Sequence, residues 1–116
     1  MKETRLGEFE EVVLLLVGIL KEDAYAFNLV KEFENQAGRS VSIGALHATL
    51  NRLAEKGFLK SEMGGTSAKR GGRRKRIYSI TAQGEAALLS ARDLRVSLWK
   101  QYPKLSLDKL NIAFSF

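Results

Sequence analysis

The spacing of apolar residues predicts that the chain begins with a helix that has apolar residues on nearly every face. Leu6, Phe9, Val13, Leu16, Val17 and Leu20 recur every three or four positions and define one broad apolar face. Further apolar side chains lie on its other faces, namely Val12, Leu14, Leu15 and Ile19. A helix that is apolar nearly all round needs cover on several sides, and in a chain this short a second subunit is expected to supply part of it.

A second helix is predicted from about Ala24 to Ala37, with Phe27, Val30, Phe33 and also Leu29 as its inward-facing residues. Gly38 supplies the left-handed residue that commonly ends a helix. A short turn follows, and Ser42 is then a good N-cap for a third helix.

The third helix is predicted to reach Lys56 and to end at Gly57. Its expected core stripe is Ile43, Leu46, Leu50 and Leu53. Two helices joined by a short turn that contains glycine predict a helix-turn-helix.

The pattern changes after Gly57, because residues 58–63 and 76–80 can alternate between inside and outside as strands do. The segment from Gly64 to Lys75 between them is rich in glycine and cations, which predicts an exposed hairpin loop. Thr81 then caps a last helix that extends to Tyr102 and ends at Pro103.

This order predicts a mainly α fold with a small β-hairpin, that is, a winged helix-turn-helix domain plus a C-terminal dimerisation helix. The expected divisions are residues 1–81 for the DNA-binding domain and 82–103 for the dimerisation helix. The tail, residues 104–116, has no clear period, and no structure is predicted for it.

Composition narrows the class of protein. The 116 residues suit one domain, and the absence of cysteine excludes disulfides and thiolate metal sites. The single histidine, His47, cannot form a zinc site alone, so neither a metal nor another cofactor is predicted. No orienting partner for His47 and no paired catalytic carboxylates are evident, so the chain is not expected to be an enzyme.

The longest apolar run has nine residues and follows four glutamates, which predicts a cytoplasmic protein without a membrane partner.

Positive charge is concentrated in one segment. The chain carries +6, whereas the segment from Lys56 to Tyr78 alone carries +7, with eight basic residues and one acid. A local basic segment on an otherwise balanced domain is typical of a phosphate binder. A merely solvated or flexible loop would have the same composition, but here the segment follows a helix-turn-helix pattern at the position of a wing.

The third helix and the wing together form the candidate DNA-binding surface, and double-stranded DNA is the expected partner. The first turn of a recognition helix usually enters the major groove. The residues predicted to face base edges are Ser42, Gly44, Ala45, Ala48 and Thr49. Those predicted to hold phosphates are His47, Arg52 and Lys56 on the helix, with Lys69, Arg70, Arg73, Arg74, Lys75 and Arg76 on the wing.

Apolar residues on the first and last helices predict a homodimer, because one small domain cannot bury both sets. The expected interface residues are Leu14, Leu15, Ile19, Leu88, Ala91, Leu94, Leu98, Trp99 and Tyr102. The aromatic pair Trp99 and Tyr102 could also line a ligand pocket at this interface.

Four segments in order, LGEFEEVVLL, EDAYAF, SIGALHATLNRLAEKGFL and RGGRRKRIYSITAQGEAAL, resemble the PadR family of bacterial transcriptional regulators. The resemblance covers about Leu6 to Leu98. It implies an N-terminal winged helix, a C-terminal helix that pairs two subunits, repression of promoters, and release from DNA by an effector that varies among members and is not identified here. His47 stands where the family usually has a tyrosine that contacts the DNA backbone, and the C-terminal region is short.

The sequence therefore favours a PadR-like repressor that acts as a homodimer on a pseudo-palindromic operator. Two alternatives stay open at this point. One is a basic RNA-binding or ribosome-associated protein that uses the same winged domain. The other is a protein-interaction module whose wing binds no nucleic acid.

Overall fold

A computed structural model describes residues 5–64 and 74–103, and its elements follow the predicted order. The elements are α1 (Glu8–Leu20), a 3-10 turn (Lys21–Asp23), α2 (Ala26–Ala37), α3 (Ile43–Glu55), β1 (Leu59–Met63), β2 (Arg76–Ile80) and α4 (Ala82–Gln101). The predicted mainly α fold with a small hairpin is confirmed. The wing cations Lys69, Arg70 and Arg73, and the tail 104–116, lie outside the described residues.

Local capping interactions explain where the helices begin and end. The Ser42 hydroxyl oxygen accepts a hydrogen bond from the Ala45 N–H at 3.0 Å, as expected of the N-cap of α3. Gly38 and Gly57 follow α2 and α3 with φ of 73° and 82°, a left-handed conformation that favours glycine.

The predicted start of α2 at Ala24 is wrong. Lys21–Asp23 form a separate 3-10 turn, and α2 begins only at Ala26. The reason is tertiary, because the Ala24 carbonyl accepts a hydrogen bond from the Tyr78 N–H at 2.9 Å. Its backbone therefore adds to the edge of β2 rather than to the helix.

The hydrophobic core surrounds α1, which contacts α2, α3, β2 and α4. Phe9 and Phe33 meet edge to face with 5.4 Å between ring centroids. The core consists of Val13, Leu14, Leu16, Val17, Ala24, Leu29, Phe33, Leu46, Leu50, Leu53, Phe58, Leu59 and Tyr78. Each buried leucine contributes about 1.5–3 kcal/mol, so this cluster is the main source of stability.

Two residues predicted to belong to the core lie outside it. Phe27 is 61% exposed and Ile43 is 49% exposed. Both stand in the first turn of their helices, where the apolar stripe extends past the elements that pack on it. The core predictions for Leu46, Leu50 and Leu53 are confirmed.

The antiparallel hairpin pairs Leu59 with Ile80 at its base, and α4 begins directly after β2. The Thr81 hydroxyl donates to the Gly57 carbonyl at 2.6 Å and accepts from the Gly84 N–H at 3.0 Å, while its own N–H donates to the Phe58 carbonyl. Gly84 packs so closely that a Cβ there would collide with the Phe58 carbonyl oxygen. We call this cluster the Thr81 junction, and it fastens the start of α4 to the end of α3.

Side chains of helix α4 are buried or partly buried only along its first half. Gly84 is buried there, and Leu88 and Ala91 are partly buried. The Glu11 carboxylate pairs with Arg95 at 2.7 Å and fixes α4 to α1, whereas every residue from Arg92 to Tyr102 is exposed. Within residues 5–64 and 74–103, no helix has the length and hydropathy needed to cross a bilayer.

Candidate nucleic-acid interface

The outer side of α3 presents a ridge of small and polar residues. At 100° per residue, the positions opposite the core residues Leu46, Leu50 and Leu53 follow one another at spacings of four, three and four. These positions are Gly44, Ala48, Asn51 and Glu55, which we call the α3 ridge, and all four are exposed. The first two have no side chain beyond a methyl group, so another molecule can approach the helix backbone closely here.

Thr49 does not belong to the exposed surface of α3. Its side chain is only 1% exposed, and its hydroxyl oxygen accepts a hydrogen bond from Arg52 Nη2 at 3.1 Å. The prediction that Thr49 faces base edges is therefore wrong, because the side of α3 that carries it packs into the domain. Ser42, Gly44, Ala45 and Ala48 are exposed as that prediction requires, although the Ser42 oxygen is engaged in the helix cap.

Two cations predicted to hold phosphates are instead paired with a buried carboxylate of α1. Lys56 Nζ donates to Glu10 Oε1 and to the Arg5 carbonyl, both at 2.7 Å, and its side chain is 14% exposed. Arg52 Nε lies 3.6 Å from Glu10 Oε2, with its side chain about half exposed. The Lys56 prediction is wrong, since its ammonium is directed into the domain, and the Arg52 charge is shared with Glu10.

Glu10 is held as an anion in this cluster. Burial raises its pKa, but the Gly7 N–H, which donates to Glu10 Oε1 at 2.6 Å, together with Lys56 and Arg52, outweighs that effect. The pKa of Glu10 therefore lies below its ordinary value. The cluster joins the first turn of α1 to the last turn of α3, and so fixes the position of α3 in the domain.

A groove of about 510 Å³ lies between α3, the start of α2 and the hairpin. His47 stands in its α3 wall, and Lys75 Nζ lies 4.6 Å from the centroid of the Tyr25 ring in the opposite wall. Arg76 Nη1 donates to the Ser61 hydroxyl at 3.0 Å. We call this the α3–hairpin groove, and its lining residues are Tyr25, Ala26, Phe27, His47, Asn51, Ala54, Ser61, Lys75, Arg76 and Tyr78.

The charge of the α3–hairpin groove is one-sided. Two cations and no carboxylate are among its described lining residues. Arg74 is exposed beside them at the base of the wing. An uncompensated cationic groove attracts phosphate, so this surface suits a nucleic-acid backbone.

Sequence reasoning did not assign several residues of this surface to the site, among them Tyr25, Phe27 and Asn51. Asn51 could have been found by extending the ridge from Gly44 and Ala48 by one more turn. The helical spacing of Phe27 with Val30 and Phe33 favours a core position for Phe27, and only the structure shows that it is exposed. Nothing local identifies Tyr25, because the wall it forms depends on the hairpin that folds across it.

A second exposed surface is apolar and combines α1 with α4. On α1, Val12, Leu15 and Ile19 form one exposed stripe at spacings of three and four. On α4, Trp99 is 68% exposed and its ring packs edge to face on Tyr102 at 5.7 Å. We call this the α1–α4 apolar surface, and its members are Val12, Leu15, Ile19, Leu89, Leu94, Val96, Leu98, Trp99 and Tyr102.

Three residues predicted for a dimer interface are buried or partly buried within the chain itself. Leu14 is fully buried in the hydrophobic core, on a side of α1 that other elements of the chain cover. The prediction that it contacts a second subunit is therefore wrong. Leu88 and Ala91 are partly buried against the same subunit. Leu15, Ile19, Leu94, Leu98, Trp99 and Tyr102 are exposed.

Three helices followed by a two-stranded hairpin, with the third helix exposed beside that hairpin, define a winged helix-turn-helix protein. Residues 14–90 match the model of the transcriptional regulator PadR-like family. The chain belongs to this family of transcriptional regulators, as the resemblance implied. A search of curated proteins found no match.

Solved structures agree with this assignment. A PadR-like transcription factor from Bacteroides fragilis is 26% identical, with a TM-score of 0.67 over 80% of this chain and 84% of that one. A PadR family regulator from Eggerthella lenta is 24% identical, with a TM-score of 0.62 over 81% of each chain. Bacillus subtilis PadR, solved in complex with operator DNA, is 18% identical, with a TM-score of 0.53 over 68% of this chain and 45% of that one.

Proposed function

We propose that the chain is a transcriptional repressor that binds double-stranded DNA as a homodimer on a pseudo-palindromic operator. One observation carries this proposal. The small residues of the α3 ridge and the cations of the α3–hairpin groove lie side by side on one surface. The ridge can enter a major groove while the neighbouring cations hold the adjacent phosphates. The proposed role is binding, and repression would follow from occupation of a promoter.

The α1–α4 apolar surface supports the dimer. Leu15 of α1 lies together with Leu89, Val96 and Trp99 of α4, and exposed apolar patches mark interfaces because water contact with them is unfavourable. A two-fold arrangement in which each α4 packs on the α1 of its partner would cover the patch on both subunits. Such a dimer would place its two α3 helices about one DNA turn apart, roughly 34 Å, which suits successive major grooves.

Binding to duplex DNA should depend strongly on salt, because the cations near the wing displace counterions from phosphates. A dimer that neutralises about eight phosphates gives a slope of log K against log salt of about −7. Filter binding of a random-sequence duplex from low to physiological salt measures this slope. A slope shallower than about −3 would contradict the proposal, as would tighter binding to structured RNA than to duplex DNA in a competition assay.

Gly44→Ala is expected to change the stability of the protein and its affinity for DNA in opposite directions. A Cβ at Gly44 meets nothing in the subunit, so alanine should stabilise α3 by up to about 1 kcal/mol. The same methyl group would hold the α3 ridge away from base edges, and specific binding should weaken roughly tenfold, comparable to the loss of one base contact. Thermal unfolding and mobility-shift assays measure the two effects.

Gln83→Ala, at an exposed position of α4, serves as the control for a substitution in another helix. It should leave DNA binding unchanged. A Gly44→Ala variant that binds as tightly as the wild type would show that no partner approaches the ridge closely.

A further inference from the structure

Three polar side chains of α3 and its N-cap are already engaged within the subunit. Ser42 caps the helix, Thr49 is buried, and Arg52 is paired with Glu10. Of the remaining polar residues of the helix, Glu55 is anionic and would be repelled by DNA phosphates. His47 and Asn51 are left, and both are exposed; neither side chain forms a hydrogen bond or ion pair with another described residue.

Both residues line the α3–hairpin groove, but only Asn51 also belongs to the α3 ridge. At 100° per residue, His47 lies about 40° from Asn51, on the side of the helix that faces the hairpin. Asn51 belongs to the α3 ridge itself, one turn after Ala48 and two turns after Gly44. Because those two positions hardly project from the helix, Asn51 is the first side chain along the ridge that can form a directional hydrogen bond.

We propose that Asn51 is a specificity-determining residue of this protein and that it reads an adenine in the major groove. Its carboxamide offers a donor and an acceptor side by side, which matches the N7 acceptor and the N6 amino donor of adenine. The small side chains at Gly44 and Ala48 let the helix enter deeply enough for this short side chain to reach the base edge. The inference rests on the proposed function, and it adds the base pair that this surface recognises.

The test begins with selection from a random-sequence duplex DNA library by the full chain and by Asn51→Ala. The wild type should select sites with an A·T pair at one fixed position in each half-site. The variant should bind the same sites with that preference reduced by roughly 5- to 150-fold. Because Asn51 is exposed and alanine favours helices, the variant should fold normally. Asn35→Ala, an exposed asparagine of α2, is the matched control and should keep the wild-type preference.

A chemical substitution in the DNA identifies the contact. Replacing the selected adenine by 7-deazaadenine removes the N7 acceptor, so it should weaken binding of the wild type and have no further effect on Asn51→Ala. Equal losses for both proteins, or an identical selected site for Asn51→Ala, would overturn the inference and leave the proposed function intact. Failure of the wild type to retain any duplex DNA at low salt would overturn both.

Discussion

Leu94→Asp is expected to make the protein monomeric and to weaken operator binding on the order of 100-fold or more, because two linked half-site contacts become one. Leu94 is 60% exposed on the half of α4 that extends past its own domain, and it lies far along the helix from the Thr81 junction. Enclosing an unpaired carboxylate in an apolar interface is strongly unfavourable. DNA binding should therefore fall although no DNA-contacting residue has changed.

Sedimentation velocity at micromolar concentration, together with a mobility-shift titration, checks both parts of this prediction. Asn35→Asp is the control, since it adds the same charge at an exposed position of α2, outside the α1–α4 apolar surface. That control should remain dimeric. A wild-type protein that sediments as a monomer and still binds its operator tightly would rule out the proposed dimer.

Glu10→Ala is expected to lower the free energy of unfolding by about 3 kcal/mol, the usual cost of removing one partner from a buried ion pair. Glu10 is 6% exposed, and without it Lys56 would be left largely buried with no counterion. Glu8→Ala removes an exposed glutamate from the same helical turn and should cost less than about 0.5 kcal/mol. Urea unfolding of the three proteins measures the differences.

The Glu10 contribution should also depend on pH. Because its pKa in the folded protein lies below the ordinary value of 4.5, the stabilisation is fully present above that value. It is lost as the pH falls through the lowered pKa, where the carboxylate becomes protonated in the folded state. The stability difference between wild type and Glu10→Ala should therefore shrink in acid. A difference that stays constant from neutral pH to strongly acidic pH would contradict the assigned role of Glu10.

The sequence predicted the elements of the fold well because the signals for them are local. Ser42, Thr81, Gly38 and Gly57 act within a few residues of their own positions, and all four lie at helix ends as expected. Binary patterning also placed the centre of each core stripe correctly. These features need no knowledge of which element packs on which.

The margins of the α3 stripe could not be predicted in the same way. Thr49 and Ile43 flank the stripe on opposite sides, and periodicity alone favours the apolar residue as the buried one. The structure places α1 over the side that carries Thr49 and leaves Ile43 exposed. Which flank is covered depends on where a helix some 40 residues earlier in the chain crosses α3, and no local pattern contains that information.

Contacts between residues far apart in the sequence also limited the prediction of the candidate site. Arg52 and Lys56 have the charge of phosphate ligands, and only tertiary structure shows that Glu10 already pairs with them. Conversely, Tyr25 and Phe27 acquire a place beside α3 only when the hairpin folds across them. Charge and periodicity thus predicted which helix and which hairpin carry the candidate site, whereas the residues exposed on those elements depended on long-range pairing.

The Thr81 junction has a mechanical consequence for the proposed dimer. Two hydrogen bonds from Thr81, to the Gly57 and Phe58 carbonyls, and the close packing of Gly84 restrict the movement of α4 at its origin relative to the end of α3. In the proposed dimer, the projecting half of α4 and helix α3 would therefore move together as one rigid unit. A change in the angle at which the two α4 helices cross would then change the distance between the two α3 helices. The spacing between the half-sites that they can contact would change with it. Substitutions where the two α4 helices cross could accordingly change the operator spacing that the dimer prefers, without any change in the α3 ridge.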